Sequence, residues 1–202
     1  RERTTSFLAL LAPDKAARLI TWLRLAPLAG AEPLAQLSLS WVGINAVEQY
    51  IGDYALEQKF TFQAGPDSGK RVAIVGGGPA GLSAAYQLRR KGHAVTLFDD
   101  HAELGGMAKY GVPGYRLPRT HLDGEIGRII AMGVELRLNT RIGKDVQLKD
   151  LESGFDAVLL ALGCKAGRAL PVPGADAPNC ISGVAFLEAF NQGRLKSVSG
   201  RV

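Results

Sequence analysis

The sequence has 202 residues, a formal net charge of +5 and 47% hydrophobic residues, a composition that fits an ordinary globular protein and argues against intrinsic disorder. Its charges are spread along the chain and no apolar run suits a transmembrane span, so we expect neither nucleic-acid binding nor a membrane span. The sequence has two cysteines, Cys164 and Cys180, and no CxxC pair. We therefore expect no metal site and no cysteine-ligated iron–sulfur cluster built from this chain alone.

Residues 1–63 are predicted to form a small helical region. Asp14 can cap a first helix, which Pro27 ends, and a second helix is expected from about Asn45, where Glu48 completes a capping-box pattern. We interpret both as packing helices; the alternative for the first is a basic helix on a membrane surface. The chain begins with Arg1 rather than Met, which we interpret as a start inside a longer protein.

Residues 64–70 are rich in turn-forming residues and are predicted to be a linker to a second domain, residues 71–202. In that domain short apolar runs alternate with helical periodicity, which predicts an α/β fold with a parallel sheet. Strands are expected at 71–75, 94–98, 134–138 and 156–161, and helices at 79–91, 119–132 and 182–192.

The most informative segment is a glycine-rich turn between the first strand and the first helix of this domain. Gly76 permits a tight turn, Gly78 lets a pyrophosphate approach the backbone, and Gly81 allows the helix to pack closely on the strand. Pro79 suits the first helical position, where its missing N–H costs nothing. This spacing in this context predicts a dinucleotide whose phosphates lie at the helix N-terminus.

A carboxylate follows the second strand at the position that favours ribose binding. Asp99 can accept hydrogen bonds from an adenosine ribose and would repel a 2′-phosphate, so the ligand is expected to be FAD or NAD rather than NADP. The alternative is a solvated aspartate beside a plain glycine turn. Asp100 and His101 are expected to be ordinary surface residues.

Several motifs together resemble one family, the NADPH-dependent flavoprotein module of the glutamate synthase small subunit, related to the N-terminal part of dihydropyrimidine dehydrogenase and to adrenodoxin reductase. The resemblance covers about residues 43–200. The motifs that carry it are Gly76–Gly81, Gly105–Met107, Tyr110–Pro113, Arg116–Pro118, Asn139–Asp145 and Phe155–Gly163.

The resemblance implies a Rossmann-like FAD-binding domain and assigns individual residues to the cofactor. Asp99 would hold the ribose, although the family more often has Glu there, and Ile142 would contact the adenine through its backbone. For Met107 the alternative is packing in the protein core. Arg116 would be a charged donor to FAD, and its alternative is an exposed position in a loop. The pyrophosphate would lie against Gly76, Gly78, Pro79, Ala80 and Gly81, and the flavin side against Gly105, Gly106 and Met107.

The implied activity is an oxidoreductase that passes electrons from NADPH through FAD to an iron–sulfur partner protein or large subunit, in the cytoplasm. The family's N-terminal region carries cysteines for iron–sulfur clusters, whereas residues 1–63 contain none. The family's NADPH domain and returning flavin segment would begin beyond residue 202, so we expect an incomplete sheet in a fragment of a longer protein. No side chain is expected to act as an acid–base catalyst, since the flavin supplies the chemistry.

Two alternatives to this function stay open. One is a non-catalytic FAD-containing docking subunit of a larger electron-transfer complex. The other is a disulfide reductase of the same fold, against which the absence of a CxxC pair weighs. Lys109 and Arg119 are expected at the surface, with contact to a partner or an incoming nicotinamide phosphate as the alternative.

Overall fold

The computed structural model describes residues 44–167, 171–178 and 180–198. The chain divides into two compact units, with the boundary in the sequence between Phe60 and Thr61. The helix predicted after Asp14 lies outside the described residues. The first unit contains helix α1 (Ile44–Glu57), which confirms the second predicted helix. Within this unit the rings of Tyr50 and Tyr54 stack at 6.3 Å.

The second unit alternates strands with helices, as the hydrophobic pattern predicts. Each predicted strand and helix is present with ends that differ by at most about two residues. Two short helices of this unit, Met107–Tyr110 and Leu148–Gly154, were not predicted. The elements are β1 (Arg71–Val75), α2 (Pro79–Arg90), β2 (Ala94–Phe98), α3 (Met107–Tyr110), α4 (Arg119–Ile130), β3 (Glu135–Arg137), α5 (Leu148–Gly154), β4 (Ala157–Leu160) and α6 (Gly183–Asn191).

The strands form one parallel sheet in the order β3–β2–β1–β4. Strand β1 pairs with β2 from Arg71 opposite Ala94 to Val75 opposite Phe98, and with β4 on its other side. The carboxyl end of β1 therefore lies between those of β2 and β4. This arrangement confirms the predicted α/β fold and places the glycine turn at the point where ligands bind in such sheets.

The two faces of the sheet are covered by different packing clusters, because successive strand residues point to opposite sides. Ile74, Val95 and Leu97 pack with helices α2 and α4, and Ile74 and Leu97 are fully buried. On the other face Ala73, Val75 and Phe98 pack with Leu151 of α5. A cavity of about 670 Å³ adjoins this second cluster, beside Thr96 and Phe155 and away from the glycine turn.

Strand β4 is less covered than β1 and β2. Leu160 is 54% exposed, whereas each of β1 and β2 has its last four residues buried. Across the described residues, the helices are all too short or too polar to cross a bilayer.

Candidate dinucleotide-binding site

Two glycines of the turn after β1 are required by the protein's own structure. Gly76 has a φ of +112°, a conformation that residues with a side chain rarely adopt, and a Cβ on it would strike the carbonyl of Ala161. A Cβ on Gly81 would strike the carbonyl of Gly76 and crowd Ile74. Gly81 therefore lets helix α2 pack closely on the turn and on Ile74 of β1.

Gly78 is different, because no contact among the described residues requires a glycine there. Its φ of −79° and ψ of −175° are ordinary extended values. An added Cβ would meet only the Cα of Gly106, at 3.7 Å, an ordinary van der Waals contact. A glycine with free space beside it, at a helix N-terminus, fits a site where a ligand approaches the backbone.

The N-terminus of α2 has no cap of its own. In the part of the chain that the structure describes, no side chain accepts a hydrogen bond from the first turn, and that turn holds no acidic residue. The first closing bond runs from the Leu82 N–H to the Gly78 carbonyl over 2.9 Å, while Pro79 and Ala80 are exposed. The free N–H groups of this turn, with the helix dipole, suit a phosphate.

Asp99 lies beside the turn with its side chain only 7% exposed. Its Oδ2 accepts a hydrogen bond from the Gly77 N–H over 2.6 Å, and its Oδ1 accepts one from the His101 N–H over 2.8 Å. The carboxylate thus fixes the conformation of the glycine turn, in addition to the ribose contact predicted for it.

The second glycine pair closes against the first. The Gly105 N–H donates to the Gly77 carbonyl over 2.8 Å, and a Cβ on Gly106 would lie 2.7 Å from the Cα of Gly78. Gly106 also has a φ of +51°. Met107 follows as the first residue of α3 and is half-buried. The structure therefore brings Gly105, Gly106 and Met107 next to the predicted phosphate turn.

Arg116 and Arg119 have opposite surroundings. Arg116 is exposed, and among the described residues its side chain has no hydrogen-bond or ion-pair partner. Arg119 was expected at the surface, and this expectation was wrong. Its guanidinium donates to the carbonyls of Ala108 and Val112 and to Oδ1 of Asn191, over 2.7 to 3.1 Å.

Ile142 lies in the loop that runs beside the end of β2. The Thr140 N–H donates to the Asp99 carbonyl over 2.9 Å, which ties this loop to the ribose position. The side chain of Ile142 packs against the second cluster, and the loop closes by a bond from Gly143 N–H to the Val146 carbonyl over 2.8 Å. Contact of the Ile142 backbone with the adenine stays a prediction.

His101 is not the ordinary surface residue that the sequence suggests. Its side chain is 15% exposed and its ring stacks on Tyr110 at a centroid distance of 4.3 Å. Lys165 Nζ lies 2.6 Å from Asp100 Oδ1 and 3.1 Å from His101 Nδ1. Asp99, Asp100 and His101 bring possible metal ligands within 4.8 Å of one another, but the Lys165 ammonium already supplies positive charge to this group.

Comparisons with known proteins agree with this geometry. Residues 70–202 match the family described as pyridine nucleotide-disulphide oxidoreductase, whose members bind FAD and NADPH. The beta subunit of the NADP⁺-dependent formate dehydrogenase of Moorella thermoacetica is 49% identical over 137 residues, which are 67% of this chain and 19% of that protein. The NADPH glutamate synthase small chain of Mycobacterium tuberculosis is 37% identical over 173 residues, 84% of this chain and 35% of that protein.

The chain thus spans between about a fifth and a third of these two relatives. Among solved structures, FprA of Mycobacterium tuberculosis in complex with NADPH superposes with a TM-score of 0.57 and 26% identity, covering 60% of this chain and 29% of FprA.

These likenesses confirm the resemblance to the glutamate synthase small subunit, and the relatives are NAD(P)H-dependent oxidoreductases. The chain belongs to the pyridine nucleotide-disulphide oxidoreductase family.

Proposed function

We propose that this chain is the FAD-binding part of an NADPH-dependent oxidoreductase, similar to the glutamate synthase small chain, that passes electrons from NADPH through FAD to an iron–sulfur partner. The observation that carries the proposal is the free space at Gly78. The protein's own packing and backbone explain Gly76, Gly81 and Gly106, but not Gly78. A dinucleotide pyrophosphate against the backbone explains it.

The residues around the turn fit FAD in charge and in hydrogen-bonding capacity. The uncapped first turn of α2 offers N–H donors to the pyrophosphate, and the Asp99 carboxylate offers acceptors to the ribose. Arg116 offers an exposed cationic donor, and the Ile142 backbone lies beside the same strand end. When bound, FAD would accept a hydride from NADPH and release the two electrons singly, chemistry that the chain's side chains need not supply.

The iron–sulfur partner and the nicotinamide are the less direct parts of the proposal. Both curated relatives carry NADPH or NADP⁺ in their names, and each is named as a subunit or chain of a larger enzyme. We infer that electrons leave this module for another protein or subunit. We place the protein in the cytoplasm.

The test is to purify the complete natural protein and to add NADPH and NADH separately under anaerobic conditions. Bound FAD that NADPH bleaches supports the proposal. Bound FAD that neither nicotinamide reduces would favour a non-catalytic docking subunit instead. A protein that contains no flavin and takes up none would overturn both.

A further inference from the structure

We propose that four side chains form a clasp that closes the dinucleotide site and must open before the cofactor can enter. The clasp consists of Asp100, His101, Lys165 and Glu188. This inference rests on the proposed function, because it concerns access to the same FAD site.

The ion pair between Lys165 and Asp100 lies across the glycine turn that follows β1. Asp100 follows β2, and Lys165 follows β4. These strands flank β1 on opposite sides, and β1 leads directly into Gly76. The contact of 2.6 Å between Lys165 Nζ and Asp100 Oδ1 therefore bridges the carboxyl edge of the sheet over the end of β1, where the pyrophosphate is proposed to lie.

Helix α6 takes part in the same closure. Glu188 Oε1 lies 3.6 Å from His101 Nε2, and Val184 and Glu188 line a cleft with Gly106. The cleft has a volume of about 10 Å³. That is roughly the space that one water molecule needs, whereas ligand pockets measure about 300–1,000 Å³. Access to the cleft face of Gly106 therefore requires α6 to move.

The anchoring of α6 indicates how it can open. At its C-terminal end, Asn191 Nδ2 donates to the Tyr110 carbonyl over 2.8 Å, and Arg119 donates to Asn191 Oδ1 over 3.1 Å. Less than one turn before Asn191, Glu188 makes the longer contact of 3.6 Å to His101 Nε2. We infer that α6 moves away from His101 and Gly106 while Lys165 separates from Asp100.

The clasp and simple charge steering predict opposite changes in the rate of FAD association when the charge of Lys165 is removed. Loss of the Lys165 charge leaves the site more negative, so steering alone would slow association of the anionic FAD. If Lys165 instead holds the site closed, its loss raises the population of the open form and therefore the observed association rate. Lys165 and Asp100 are 42% and 33% exposed, so the pair is a weak one and the expected change is about fivefold.

The experiment uses the complete protein stripped of flavin and measures FAD association by stopped-flow fluorescence. Lys165→Met is compared with Lys149→Met, which removes the same charge from an exposed position on α5. We expect about fivefold faster association in Lys165→Met and no acceleration in Lys149→Met. Adding Asp100→Asn to Lys165→Met is expected to raise the association rate little further, because both substitutions remove the same contact.

Hydrogen exchange of α6 amides gives a second readout that needs no cofactor. Exchange is expected to be faster in Lys165→Met than in Lys149→Met. FAD binding at an unchanged or slower rate with unchanged α6 exchange would overturn the clasp while leaving the proposed function intact. Absence of FAD binding in the wild-type protein would refute the proposed function and, with it, the clasp.

Discussion

The buried carboxylate of Asp99 accepts a hydrogen bond of 2.6 Å from the backbone N–H of Gly77, which lies in the glycine turn after β1. Oδ1 of the same carboxylate accepts from the His101 N–H over 2.8 Å. One side chain therefore joins the end of β2 to the turn after β1. The residue predicted to select the nucleotide also holds the shape of the site that receives it.

Substitution of Asp99 is expected to affect both binding and folding. Asp99→Asn keeps one acceptor and should weaken FAD binding about tenfold, since a hydrogen bond to a charged group contributes roughly 1.5–3 kcal/mol. Asp99→Ala should weaken binding further and lower the free energy of unfolding by about 1–3 kcal/mol, because the buried Gly77 N–H loses its partner.

FAD titration of the stripped complete protein and urea denaturation measure these two effects. A suitable control is Asp67→Ala, which removes an exposed aspartate that accepts a hydrogen bond of 2.9 Å from Gly69. It should leave FAD affinity unchanged. Unaltered FAD affinity in folded Asp99→Ala protein would remove Asp99 from the binding site.

Two arginines three positions apart should separate binding from stability. Arg119→Met removes donors to two backbone carbonyls and to Asn191, so we expect a loss of about 2 kcal/mol in unfolding free energy. Arg116→Met removes an exposed side chain and should change stability by less than about 0.5 kcal/mol, while weakening FAD binding. Thermal denaturation and FAD titration of both variants check this, and equal stability losses would contradict it.

The phenol of Tyr110 is expected to make the second unit less stable at alkaline pH. Burial raises the pKa of its phenol above the ordinary value of 10.0, and the Glu103 charge acts in the same direction. Because the folded state favours the neutral phenol, this contribution to stability is complete below pH 10 and is lost as the pH rises toward the folded-state pKa.

The measurement is the free energy of unfolding between pH 9 and pH 11. Tyr110→Phe should flatten its decline with pH, whereas Tyr115→Phe, at a residue 78% exposed, should not. Identical slopes for wild type and Tyr110→Phe would show that the phenol is not protected by the fold.

The regular elements of the second unit could be predicted because short apolar runs mark the strands and helical periodicity marks the longer helices. Helix α3 was not predicted because its four residues are too few to show a helical period. Helix α5 begins where Asp150 accepts a hydrogen bond of 3.1 Å from the Gln147 N–H, a capping signal that the sequence contained.

The polar contacts of the site were harder to predict than its glycines. The glycine roles follow from spacing within one turn, whereas the Lys165–Asp100 pair joins residues 65 positions apart. Arg119 likewise owes its environment to Asn191 of α6. Such pairings depend on how elements pack, which local sequence patterns do not contain.

Substitutions at Gly78 and Gly81 give a matched comparison that tests the central claim, the assignment of this turn as the FAD site. A Cβ at Gly81 would strike the Gly76 carbonyl, so Gly81→Ala should cost about 1–3 kcal/mol of stability, as overpacking does. A Cβ at Gly78 would meet only the Gly106 Cα, at 3.7 Å, so Gly78→Ala should fold with a loss of no more than about 1 kcal/mol.

The most direct measurement is therefore the flavin content of purified, folded Gly78 variants of the complete protein, with folding confirmed by circular dichroism. We expect Gly78→Ala to bind FAD more weakly than wild type and Gly78→Val to be colourless, because their side chains occupy the space proposed for the pyrophosphate. Wild-type flavin content in folded Gly78→Val protein would contradict the assignment of this turn as the FAD site.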